Sequence, residues 1–146
     1  MKSLFKYLWL GLVLVSCNGK SSFDKKLFEV HNYASSQFQS TVNELKSTSS
    51  NQEYGSILQK AVDESSVVTS GANDIEHNLK LVDGGERYRD AVIHECNYVI
   101  GAISVMYAAY HEGNYSTIEE MKGESAKEIE TIIKNVESER ANFLKK

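Results

Sequence analysis

Glu95 is the residue best placed to do chemistry. On a helical wheel it falls between Val92 and Val99, inside an apolar face. A buried carboxylate without a partner is costly and tends to take up a proton. His31 lies on the margin of an earlier apolar stripe at a matching height, and Asn135 faces the same region from further along the chain. Glu95, His31 and Asn135 therefore form a candidate buried polar cluster. It reads either as a structural contact or as a group that orients a ligand or handles a proton. The other histidines fit a metal site poorly. Asp74 precedes His77 by three and Asp90 precedes His94 by four, so each pair shares a helix face, but both faces point away from the apolar stripes. No Glu-x-x-His pair projects inward as in carboxylate–histidine bundles. Cys96 lies in a stripe and reads as a buried small apolar residue, with an intermolecular disulfide as the sharper alternative. There is no Ser-His-Asp order, no Cys-x-x-Cys and no phosphate-binding glycine loop. The expectation is a protein with no catalytic residues, no metal and no cofactor.

The elements that must position these groups follow from apolar spacing and from a complete lack of proline. Phe23, Leu27, Val30, Ala34, Phe38, Thr41 or Val42, and Leu45 recur at steps of three and four. Tyr54, Leu58, Ala61, Ser65, Val68, Ala72, Ile75, Leu79 and Val82 do the same. So do Tyr88, Val92, Cys96, Val99, Ile103, Met106 and Tyr110, and then Ile118, Met121, Ser125, Ile129, Ile132, Val136, Arg140 and Phe143. This is helical spacing. Ser50 with Glu53 and Ser116 with Glu119 have capping-box spacing, and Ser21 with Asp24 is a weaker version. Asp83-Gly84-Gly85 and Glu112-Gly113-Asn114 are helix stops. Helices are expected over about 22–46, 52–82, 86–111 and 117–144. Short loops between helices of similar length favour antiparallel neighbours, and the expected fold is an all-α, antiparallel, up-down-up-down four-helix bundle. In that topology helices 1 and 3 are diagonal.

The start of the chain has a different character. Lys2 and Lys6 precede an uncharged apolar run from Leu8 to Val15, which is too short to span a bilayer. Small residues and a cysteine close it, which is the order of a secretory signal. Leu14-Val15-Ser16-Cys17 resembles the bacterial lipobox. That resemblance implies a signal peptide at 1–16, cleavage before Cys17, acylation of its thiol by palmitate-like chains, and a tether at 17–21. It implies a membrane-anchored lipoprotein of the cell envelope, with Asn18 favouring the outer over the inner membrane in a Gram-negative source. In layout the remainder is similar to small helical lipoproteins of several bacterial phyla, which contribute no site residues.

Charge and surface pattern narrow the function. Losing residues 1–16 removes two lysines and no acids, moving the formal charge from -4 to -6. An acidic chain without a basic run is a poor nucleic-acid binder. Four extended tether residues reach only roughly 14 Å, so one end of the bundle must stand near the bilayer. Lys20, Lys25, Lys26, Arg87, Arg89, Lys145 and Lys146 collect at that end, with Lys80 and Arg140, and could lean on anionic headgroups. Lys25 and Lys26 fall in the first turn of the expected helix 1, where the helix dipole disfavours cations. Tyr98 to Tyr110 carries no charge, and Tyr98, Met106, Tyr107, Tyr110 and Tyr115 suit a partner surface. The expected function is a non-enzymatic protein-interaction module. Its partner would be another envelope or surface protein, or a second copy in a homodimer. The alternatives are a carrier or sensor of a small apolar ligand near Glu95 and, less favoured, a metal-binding bundle.

Overall fold

The computed structural model describes the backbone of residues 4–48 and 50–146, and side chains from residue 19 onward with Ser49 excepted. Residues 1–3 and the side chains of residues 1–18, including the Cys17 thiol on which the lipobox reading rests, lie outside the described residues. Four helices follow in order: α1 (Leu4–Ser47), α2 (Asn51–His77), α3 (Glu86–His111) and α4 (Tyr115–Lys145), with no strand among the described residues. The four stripes converge on a single core. Every stripe position is buried except Val30, Leu79, Val82, Tyr110, Met121 and Arg140, which are half-buried at its margin.

The helices do not pack as a square. α3 touches α1, α2 and α4, and α1 likewise touches all three others, whereas α2 and α4 barely meet. A helix with three neighbours must be apolar over more than one stripe. This accounts for the wide apolar face of α3, which by length and composition alone could also cross a membrane.

Several boundaries differ from the sequence reading. α1 is already helical at Gly19, Lys20 and Ser21, so these residues are not an extended tether. Lys25 and Lys26 then do not lie in a first turn, and the dipole argument about them falls. α2 ends at His77, not near Val82. The amides of Asn78 and Leu79 both donate to the Asp74 carbonyl at 3.0 Å, and the Asn78 side chain donates to the Asp74 carboxylate at 3.0 Å. Asp74 also holds Lys26 of α1 at 2.8 Å, which fixes the terminus there. Leu79 and Val82 continue the stripe numerically but reach the core from a loop. The reversal uses Gly84 at φ +72°, and Gly85 then passes the Phe23 ring, where a methyl would come to 2.7 Å. α4 starts at Tyr115 with Asn114 as its cap, accepting from the Thr117 amide. Ser116 instead donates to the Asn114 side chain. Ser50 makes no side-chain cap bond.

Candidate functional site

His31 enters the core because Leu27 and Ala34, four before and three after it, line the buried face of α1. Glu95 enters because Val92 and Val99 flank it on α3. The two meet across the α1–α3 contact: His31 Nδ1 and Glu95 Oε2 are 2.7 Å apart, and the Glu95 side chain is fully buried. Burial pushes the Glu95 carboxyl above its ordinary range, opposed by the hydrogen bond and charge of His31. Glu95 Oε1 has no partner. Asn135, expected to join this cluster, is exposed on α4. It sits one residue before buried Val136, a step of about 100° around the helix.

A second polar group lies beside the first, and sequence reasoning missed it. Arg140 of α4 clasps Asp24 of α1 through two bonds, 2.7 and 3.0 Å. Its guanidinium stands 3.5 Å from the centre of the Phe28 ring, whose other neighbour is His31 at 6.0 Å between centroids. Positions 24, 28 and 31 are thus one face of α1. Tyr88 of α3 is fully buried with an unpartnered hydroxyl. Burial, then the nearby Asp24 charge, raises its pKa well above the ordinary phenol value. The signal in the sequence is the α1 spacing of four and three residues, although Asp24 also has the spacing of a cap partner for Ser21 and Arg140 falls on the α4 stripe. Gln37 was also missed, although it lies between stripe members Ala34 and Thr41. It is buried and donates to the Ala61 carbonyl at 2.8 Å and to Ser65 Oγ at 3.3 Å, tying α1 to α2.

The aromatic residues of the expected partner surface have structural duties. Met106 is fully buried and presents no surface. Tyr98 meets Phe38 edge-on at 6.2 Å. Tyr107 donates to Gln59 at 2.6 Å. Tyr110 lies against Gly55, where a methyl would overlap its hydroxyl, and meets Tyr115 edge-on at 6.2 Å. His77, His94 and His111 are exposed. Among the described residues no three His, Cys, Asp or Glu side chains converge as metal ligands. Cys96 is a buried free thiol, pushed up to about 12 by burial and then by the Glu95 charge. A thiol so held is protonated and unreactive.

The basic end is partly neutralised. Lys26 pairs with Asp74, Arg89 with Asp90 at 2.9 Å, and Arg140 with Asp24. Lys25 stands 4.0 Å from Glu29. Among the described residues Lys20, Lys80, Arg87, Lys145 and Lys146 make no ion pair.

Three principal concavities remain. An open groove of about 950 Å³ runs between α1 and α2, lined by Val30, Tyr33 and Val67 together with polar residues such as Lys26, Glu29 and Asp74. A second of about 620 Å³ lies at the α2–α3 loop, and a third of about 190 Å³ includes Phe38 and Ala126. Glu95 lines none of them. No protein-family model matches this chain, and no curated protein or solved structure is significantly similar to it.

Proposed function

We propose that this chain is a lipid-anchored envelope protein that acts as a non-enzymatic interaction module. In this reading the four helices run up-down-up-down. Contacts at two separate places support that order. Phe23, Tyr88 and Phe143 cluster with Gly85, while Tyr54, Tyr110, Tyr115 and Glu119 gather elsewhere. The Phe23 end would face the bilayer. Since Gly19–Ser21 are helical, four residues from Cys17 cover only about 6 Å of axis, less than an extended tether.

The observation that carries the reading is the α1–α2 groove. Tyr33 and Val67 are among the few large apolar side chains left exposed, at 38% and 51%, and both line it. Exposed apolar side chains set among polar ones in a groove suit a protein partner. The partner class is another envelope protein that presents an apolar side chain to this groove. The carrier reading is weaker, because the Glu95 carboxyl is engaged by His31 and lines none of the three concavities.

A photocrosslinker replacing Val67 in the lipidated protein, in intact source cells, tests this. One discrete protein adduct is expected. It should be lost when Tyr33→Asp is added and absent when the probe replaces exposed Ser138 of α4. Adducts that are diffuse, or indifferent to Tyr33→Asp, would refute the groove as the partner surface.

A further inference from the structure

The concavity at the α2–α3 loop combines features that the other two lack. Its walls hold Leu79, Leu81 and Val82 from the loop together with three lysines, Lys20, Lys80 and Lys146, and one acid, Asp83. The lysines come from α1, the loop and the C-terminus, and the fold brings them together. Lys20 Nζ lies 5.1 Å from the centre of the Phe143 ring, so α1 and α4 meet here. The Lys146 stem packs beside Gly84, 3.3 Å from where a Cβ would stand, so the C-terminus rests on the loop. Leu81 is 39% exposed. In a chain of net charge -4, three lysines against Asp83 and the Lys146 carboxylate are still a local reversal of sign.

Cations around exposed leucines suit the boundary between anionic headgroups and acyl chains. The ammonium groups meet phosphates while the leucines leave water. A soluble phosphate would satisfy the lysines but not the leucines, and a protein partner would not favour cations so strongly. The patch includes Gly19 and Lys20 of α1, directly after the apolar segment that precedes Asn18 in sequence.

We propose that Lys20, Lys80 and Lys146, with Leu81, form a docking surface for an anionic phospholipid bilayer. The surface would hold the bundle upright and leave the α1–α2 groove free at the side. The proposal rests on the reading of the chain as membrane-anchored and sharpens it, because it names the face that meets the lipid.

The test uses the full chain, mixed with vesicles of phosphatidylcholine alone or with phosphatidylglycerol added. An environment-sensitive dye is placed by Leu81→Cys in a Cys17→Ser, Cys96→Ala background, so that position 81 carries the one thiol. The dye should shift to the blue in the phosphatidylglycerol vesicles only. Each lysine replaced by serine should weaken anionic-vesicle partitioning about fivefold, and free glycerol phosphate should not compete. The same dye at Val67→Cys should ignore lipid charge. Thermal melting of the Lys80 and Lys146 variants should match the parent, since both positions are exposed; the Lys20 variant should melt lower, because Lys20 is half-buried against the Phe143 ring. Emission at position 81 that is equal in both vesicles, or unchanged in the triple lysine variant, would overturn the proposal; so would full competition by glycerol phosphate. Intact mass at Cys17 reads the anchor separately. An unacylated thiol would refute the anchor, while the response to lipid charge would still decide the docking surface.

Discussion

Two carboxylates in this molecule face opposite environments. Glu95 is inside, fully buried, with one oxygen on His31 and the other on nothing. Glu119 is outside on α4, held by Lys122 at 2.6 Å and by the Tyr54 hydroxyl. Burial dominates at Glu95 and raises its pKa. At Glu119 the Lys122 bond dominates, followed by the Tyr54 bond, and the pKa is lowered. A cationic or ionisable neighbour is present in both places, so exposure sets the sign. The two groups should therefore respond to pH in opposite directions. The folded state binds protons more readily than the unfolded chain at Glu95 and less readily at Glu119. The Glu95 contribution is complete below its ordinary value of 4.5 and is lost as pH rises through the raised folded value. The Glu119 contribution is present above 4.5 and is lost as pH falls through the lowered folded value.

The largest break in this comparison should come from His31→Ala, which leaves a buried carboxyl with no partner at all. Removing one member of a buried pair costs about 3–5 kcal/mol, and urea unfolding at neutral pH should show a loss in that range. The loss should shrink in acid, where a protonated Glu95 needs no counter-charge. A pH-independent loss would mean that only imidazole packing was removed. Glu95→Gln should have a smaller effect, about 1–3 kcal/mol, because the amide still reaches His31. Its diagnostic is slope: the wild-type decline in stability as pH rises above 4.5 should be reduced in the variant. An unchanged slope would assign the decline to other groups. Glu119→Gln should have the smallest effect, below about 1 kcal/mol and fading in salt, as exposed pairs do. A loss as large as that of His31→Ala would erase the distinction between inside and outside.

The sequence was informative where spacing repeats. The stripes of α1 and α3 alone place His31 and Glu95 on facing surfaces, since their neighbours at three or four residues are apolar or aromatic apart from Ser35. It was less informative where one residue of rotation decides. Asn135 follows the same arithmetic but lies a step away from buried Val136. Spacing could not show that Leu79 and Val82 pack from a loop, because a loop residue can occupy the place a helical stripe predicts. Asp24 with Arg140 stayed hidden for another reason. They are separated by 116 positions, and only the packing of α1 against α4 joins them. Met106 shows the converse: a side chain suited to an interface by type, but buried because α3 has neighbours on three sides.

The central claim is that the interior is a closed structural pair and that binding belongs to the outer surfaces. Carboxyl-carbon NMR of the native chain, following Glu95 and Glu119 in one titration, tests it most directly. The account predicts Glu95 titrating above 4.5 and Glu119 below it. Glu95 titrating at or below 4.5, as an open and solvated carboxylate would, contradicts it.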